Sequence, residues 1–340
     1  MRFYSPQLDG LRFCAAFAVF VHHAPRIWGL GRLRDYGWLG VDLFLAISAY
    51  LITRLLLLER EQTGAISLKS FYIRRALRIW PLYFSFATIT SLAAFAAGKV
   101  PAAESFGWWL THITFSNNIV TAVKGFSPVP FTSHLWTISL EEQAYLILPL
   151  AVLVFSRTKR VMSICMALIA ILIAARLAVY LIYIPHPFVW VSPLRGDAFI
   201  LGCLAAFVIA NPRAWMFWAG AAVMGLVTLF PPVGQHSAYD VIGYTIAATG
   251  CTAMVVGSQA FRGGVLAWRP MRYLGKISYG FYVFHMGIVQ KVTALGFPPL
   301  MTFLVALILT IAVSAASYAL LERPFLKLKQ RFELIAARPV

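Results

Sequence analysis

Long apolar blocks separated by short polar segments alternate along almost the whole chain. Ten of them can be drawn, at 11–28, 37–58, 77–97, 135–156, 160–183, 194–210, 214–231, 239–260, 274–294 and 301–321. Each is close to the roughly 20 residues that an α-helix needs to cross a bilayer. An eleventh block, Trp108–Val120, is too short to cross and contains His112, Asn117 and Asn118, which predicts an interfacial or re-entrant element. No internal repeat, low-complexity linker or separate soluble domain interrupts the series. The pattern predicts an all-α, polytopic integral membrane protein of about ten transmembrane helices. Residues 1–340 form one membrane-embedded domain ending in a basic tail, 322–340.

Composition sharpens this picture. The chain is 60% hydrophobic and 12% charged, against about 25% charged residues in soluble domains. Its four cysteines, Cys14, Cys165, Cys203 and Cys251, lie inside apolar blocks without a CxxC pair, so neither a disulfide framework nor a zinc site is indicated. The net charge of +17 would suggest nucleic acid in a soluble protein. Here the basic residues fall between apolar blocks, so they read as membrane-topology signals and no nucleic-acid partner is expected. Met1–Gly10 lacks a basic leader and cleavage site, and the first apolar block is expected to stay as a helix.

Counting Lys and Arg loop by loop gives an orientation. With the N-terminus inside, 20 of the 29 basic residues fall in inner segments and 6 in outer ones, while Arg12, Arg176 and Arg195 lie within helices. The bias recurs at successive loops and predicts both termini in the cytoplasm. Counting the short block as a crossing would invert every later loop.

Ionisable groups at membrane depth cost several kcal/mol unless paired or wetted, which makes each a candidate site residue. In the first span, Arg12 and His23 are eleven residues apart, within about 20° of one helical face and about 16 Å along the axis. Asp42, near the outer end of the second span, is a carboxylate at a depth where it could orient an imidazole. Arg74, Arg75 and Arg78 open the third span from the inside, and guanidinium forks suit phosphate oxygens, although they also suit anionic lipid. His134, Glu141 and Tyr145 share one helical stripe, with Glu142 about 80° round from His134. Arg195 and Asp197 could neutralise each other at the outer end of the sixth span. Tyr282 and His285 are i, i+3 neighbours in the ninth. His112, His186 and His236 carry no assignment. In this layout the arginines sit low, while His23, Asp42, Glu141, Arg195, Asp197 and His285 sit at the middle or in the outer half, as if a donor and an acceptor arrive from opposite sides.

These residues resemble those of acyltransferase family 3. The likeness runs in order through Arg12-x10-His23, Gly40-Val41-Asp42 to Ser48, Arg74-Arg75-x-x-Arg78-Ile-x-Pro81 and Trp136-x-x-Ser139-x-Glu141-Glu142-Gln143-x-Tyr145. It continues through Arg195-x-Asp197, Ser278-Tyr279-x-x-Tyr282-x-x-His285 and Glu322-Arg323-Pro324. Two departures stand out: Ser48-Ala49-Tyr50 replaces the family's Ser-Gly-Phe, and Ala144 replaces a Phe before Tyr145. The resemblance is to the stand-alone type, without an extracytoplasmic hydrolase-like domain.

The resemblance implies O-acylation of an extracytoplasmic carbohydrate or glycoside in a bacterial inner membrane. The co-substrate would be acyl-CoA, acetyl-CoA foremost, with no permanently bound cofactor and no metal. Arg12, Arg74, Arg75 and Arg78 would bind the donor. His23 would be the general base, oriented by Asp42 or Glu141, with direct transfer favoured over an acyl-His or acyl-Ser48 intermediate. Ser48, Glu142, Tyr145, Arg195, Asp197, Tyr282 and His285 would support the acceptor site. A transporter or flippase of a lipid-linked or anionic substrate, and a sensor whose charges only join helices, are the competing readings.

Overall fold

The computed structural model describes residues 4–182, 193–231 and 238–335. His186, His236, Arg2 and Arg338 lie outside the described residues. Every regular element among the described residues is helical, and ten principal helices fall on the ten expected spans. They are α1 (Pro6–His23), α3 (Leu39–Thr63), α4 (Leu68–Ala96), α7 (Trp136–Phe155), α8 (Val161–Leu181), α9 (Asp197–Val208), α10 (Ala214–Val227), α11 (Tyr239–Ser258), α12 (Arg269–Thr293) and α13 (Pro299–Ser317). Between them lie the short helices α2 (Gly31–Tyr36), α5 (Ala102–Ile113) and α6 (Asn117–Lys124), and α14 (Arg323–Lys329) closes the bundle. Six described helices, counting α13 through α14 as one run, are long and apolar enough to cross a membrane unaided. The chain is a multi-pass helical membrane protein.

Local chemistry sets the helix ends, and it moves several away from the hydropathy boundaries. α1 starts at Pro6 and stops at His23, five residues before the apolar block does, because Ala24 takes the extended conformation that a following proline requires. α4 begins at Leu68, where the Ser67 hydroxyl caps the amide of Ser70, so Arg74, Arg75 and Arg78 all lie inside a helix. α3 ends on Gly64 with φ of +77°, a conformation that favours glycine. The run after α13 widens into a π-turn over Tyr318–Glu322 ahead of Pro324, which cannot donate its backbone bond. The short block resolves into α5 and α6, of 12 and 8 residues, too short to cross at 1.5 Å per residue. They are broken at Phe115, which has φ of +52°.

The interior is built on α3 and α11. The apolar windows of these helices are 61% and 67% buried, against 17% for α8 and for the α13 run, which present Leu168, Ile171, Leu304 and Ile308 to the outside. α3 packs against α1, α7, α9 and α11, and α1 packs also against α12. Lipid tails are as apolar as leucine, so packing between membrane helices relies on close backbone approach rather than on exclusion of water. Glycines supply that approach. A β-carbon at Gly40 would sit 2.3 Å from the Ala15 carbonyl oxygen, and one at Gly275 only 2.0 Å from that of Asp9. A second contact of α1 is aromatic: the Phe20 ring lies 5.6 Å from Phe281 and 5.4 Å from Phe303.

Gly275→Val is therefore expected to separate α1 from α12 and to cost about 1–3 kcal/mol, read as a lower thermal midpoint in detergent. Gly107→Ala, in a helix where nothing lies within 4 Å of the new β-carbon, is expected to leave the midpoint unchanged or raise it. An unchanged midpoint for the valine variant would mean that the two helices do not meet this closely.

Candidate active site

Two cavities inside the bundle share part of their lining. The proximal one, bordered by α1 near its start and by the end of α14, holds about 160 Å³ and is lined by Arg12, Arg75, Arg78 and Lys329. The distal one, of about 330 Å³, is lined by His22, His23, His134 and Arg195. Val41, Thr137 and Tyr282 border both.

In the proximal cavity, Asp9 holds the Arg12 guanidinium at 3.1 Å, one helical turn below it. Arg75 lies over the Tyr145 ring at 5.8 Å. Glu141 faces the same space: its Oε1 accepts from the Ser48 hydroxyl at 2.6 Å and from the Tyr145 hydroxyl. Glu141, together with Ser48, thus stands with the arginines, whereas the layout by depth sets Glu141 with His23. Arg74 leaves the expected arginine set. Its guanidinium donates to Glu59 at 3.1 Å and to the Phe332 carbonyl at 2.8 Å, while Glu59 also accepts the Ser67 amide at 2.7 Å. Two of the three arginines line the cavity, and the third fastens the chain around it.

The distal cavity is organised by a row of histidines from three elements. His285 lies between His23 and His134, with ring centroids 5.0 and 4.9 Å away. Hydrogen bonding orders the protons. A carbonyl oxygen only accepts, so His285 Nδ1, 2.5 Å from the Tyr282 carbonyl, carries a hydrogen. In neutral His285, Nε2 is then an acceptor, and it faces His23 Nδ1 at 3.1 Å. His23 Nδ1 also lies 2.9 Å from the Val19 carbonyl, so both neighbours ask it to donate. The lone pair of His23 is left on Nε2, which has no protein hydrogen-bond partner among the described residues. The third ring, His134, donates from Nε2 to the Val283 carbonyl at 3.2 Å, and its buried Nδ1 is unpartnered among the described residues.

The expectation that a carboxylate orients His23 is corrected by this network. Among the described residues neither Asp42 nor Glu141 is hydrogen-bonded to the ring, and the side chain that faces its Nδ1 is His285. Asp42 is committed elsewhere: Arg195 donates to its two oxygens at 2.7 and 3.1 Å, and to the Trp38 carbonyl at 3.0 Å. The Arg195 guanidinium also lies over the rings of Trp38, Tyr244 and Trp136 at 5.2, 5.2 and 5.6 Å. Arg195 sits in a turn of 3-10 helix over Pro193–Arg195, just ahead of α9. Nor does it neutralise Asp197, which pairs with Arg176 of α8 at 2.5 and 3.1 Å. Arg176, 1% exposed, spends its remaining donors on the Val241 and Leu194 carbonyls and the Thr245 hydroxyl. The physical reason is common to both pairs: a charge at membrane depth takes the nearest opposite charge in space, whatever its place in the chain.

Tyr282 stands at the shared wall, where its hydroxyl donates to the His134 carbonyl at 2.9 Å and meets the Thr137 hydroxyl at 2.5 Å. Glu142 turns away from both cavities and accepts from the Trp80 indole at 3.0 Å. The short block docks through an amide pair, Asn118 with Gln143, at 3.1 and 2.8 Å. His112 is held by Tyr83 at 3.2 Å and Asn117 at 3.0 Å, outside the histidine row. Lys329, Thr137 and His134 border the cavities without having been assigned from sequence. His134 had a visible signal, its place on the stripe with Glu141. Lys329 had none, because a lysine in a basic tail looks like any other.

Ten principal helices with several buried charged groups, around two cavities that share lining residues, define a membrane protein with a polar site inside the bundle. Residues 5–321 match the family described as an acyltransferase domain, and the chain belongs to this family, acyltransferase family 3. It is 25% identical to the peptidoglycan O-acetyltransferase OatA of Listeria monocytogenes, over 96% of this chain and 56% of that protein. It is 27% identical to the O-acetyltransferase OatA of Staphylococcus aureus, over 95% of this chain and 57% of that protein. The chain thus spans a little over half the length of these curated relatives. No solved structure matches it.

Arg195→Ala, which strands a buried Asp42 carboxylate, is expected to cost about 3–5 kcal/mol, seen as a large drop in thermal midpoint. Arg26→Ala, which breaks an ion pair with Asp35 whose arginine is 64% exposed, is expected to change the midpoint little. Similar midpoints for the two variants would remove the Arg195–Asp42 pair from its structural role.

Proposed function

We propose that this protein transfers an acyl group, acetyl foremost, from acyl-CoA to a hydroxyl of a carbohydrate, with His23 as general base. The observation that carries the reading is the meeting of a cation-lined cavity and a histidine-lined cavity at Val41, Thr137 and Tyr282. Arg12, Arg75 and Arg78 suit the phosphates of the donor, since guanidinium groups bind phosphate oxygens as planar forks. Arg74 acts on donor binding through the chain it fastens. The pantetheine arm reaches past Arg12 and brings the thioester to the shared wall, while the acceptor sugar enters the distal cavity. Arg195 lines that cavity and Asp42 holds its guanidinium, while Asp197, paired with Arg176, supports the start of α9. Glu141, Ser48 and Tyr145 line the path of the arm.

The lone pair on His23 Nε2 supports the assignment of the base. The acceptor oxygen attacks the acyl carbonyl carbon as its proton passes to Nε2, and the carbon–sulfur bond then breaks. The leaving thiolate takes up the proton, which regenerates neutral His23 and gives an ester and free CoA. His285 is a positioning residue in this scheme: by accepting from His23 Nδ1 it fixes the tautomer and steadies the positive ring that forms after proton uptake, the part a carboxylate plays in other acyl-transfer sites. No covalent acyl-enzyme is needed. The excess of Lys and Arg on the proximal face supports a cytoplasmic position for that face and for both termini, in a bacterial inner membrane. The likeness to a peptidoglycan O-acetyltransferase favours a cell-wall or other extracytoplasmic glycan as acceptor.

Purified protein in nanodiscs, given radiolabelled acetyl-CoA and a panel of glycans, is expected to form labelled ester. His23→Ala should lower the rate by about 10²–10⁴-fold without loss of folding. His285→Ala should lower kcat more than it changes KM for the donor. A transporter would carry substrate in liposomes and form no ester, and full activity in His23→Ala would remove that residue from the chemistry. A fluorescent protein fused after Val340 should fold and fluoresce in bacterial cells; a dark fusion at normal expression would reverse the proposed orientation.

A further inference from the structure

The chain folds back beneath its own bundle after α13. The segment from Arg323 to Phe332 packs along α4, and the Arg74 guanidinium fastens it by donating to the Phe332 carbonyl at 2.8 Å. Arg74 is held in turn by Glu59, whose side chain is 2% exposed. This fastening sets Lys329, the last residue of α14, at the proximal cavity with Arg12, Arg75 and Arg78. The lysine is 9% exposed, too enclosed for an ordinary surface anchor. Its ammonium lies 2.7 Å from the Glu333 carboxylate, one helical turn further on.

Four cations and one carboxylate, Glu141, therefore line this cavity. Lysine differs from its arginine neighbours in carrying a compact charge on a flexible four-carbon stem. It can turn from one anion to another without moving the backbone. Glu333 is the anion that holds it when the cavity contains no other.

We propose that Lys329 is a donor-binding residue, and that Glu333 occupies its ammonium until a phosphate group of the donor takes the carboxylate's place. This rests on the reading of the proximal cavity as the acyl-CoA site. Lys329 then contributes a charge to the donor phosphates only when the segment beneath the bundle is docked, so that segment is part of the substrate site. Glu333 competes with the phosphates: it keeps a buried ammonium paired in the empty enzyme and weakens donor binding by the energy of the contact that must be given up.

The two members of the pair make opposite predictions, which a merely structural salt bridge does not. Binding of CoA to the full-length protein in nanodiscs can be followed by titration calorimetry for the parent, Arg75→Ala, Lys329→Gln, Lys329→Arg and Glu333→Gln, with the thermal midpoint of each as a check on folding. Lys329→Gln is expected to weaken CoA binding about tenfold, Lys329→Arg to restore most of it, and Glu333→Gln to tighten it several-fold. If Lys329→Gln and Glu333→Gln weaken binding alike, the pair only tethers the segment and the proposal fails. It fails also if Lys329→Gln binds as the parent does while Arg75→Ala does not. If the parent itself does not bind CoA, the assignment of the donor falls first and this inference with it.

Discussion

The buried contact between Arg195 and Asp42 is the constraint around which the distal half of the molecule is arranged. Either ion alone would be costly to hold at membrane depth. Together, with both carboxylate oxygens engaged and three aromatic rings around the guanidinium, they join the turn before α9 to the first turn of α3. α3 in turn packs on α1, so the position of His23 depends on where this pair holds its neighbours. Arg176 and Asp197 repeat the device between α8 and α9. The two pairs explain how a helix of only 12 residues, α9, keeps a fixed place in the bundle.

Much of the fold was legible in the sequence, because the bilayer allows few ways to satisfy a backbone. Ten apolar blocks became ten principal helices, and the block too short to cross became α5 and α6. The inner arginines, His23 and His285 were visible as polar groups in apolar surroundings. Pairing was not legible. Arg195 and Asp197 are two residues apart, and sequence proximity favours them as partners, yet each takes a partner from another helix. Periodicity within one helix shows which residues share a face, as it did for Arg12 and His23, and for Glu141 and Tyr145. It carries no information about which helix that face meets. Glu141 was placed by depth with His23 for this reason, whereas the helix arrangement turns it toward Ser48 and the arginines.

The histidine row illustrates a choice of chemistry suited to its surroundings. A carboxylate beside His23 would bring a full negative charge into the middle of the bundle, where it would need a cation of its own. A second imidazole orients the first while staying neutral, and its own orientation comes from a backbone carbonyl one turn away. The proton order from Tyr282 through His285 to His23 is then fixed by groups that carry no net charge. The row thus adds no charge beside a neighbouring cavity already lined by Arg12, Arg75, Arg78 and Lys329.

Val41, Thr137 and Tyr282, the side chains common to both cavities, bear on a different property, permeability. Polar hollows entering a bundle from opposite faces would join into a column of water and let protons run down their gradient. The Tyr282 ring, whose hydroxyl donates to the His134 carbonyl, stands where such a column would pass. Any passage between the two cavities runs by these three side chains, so a change in the size of one of them would alter leakage and access together.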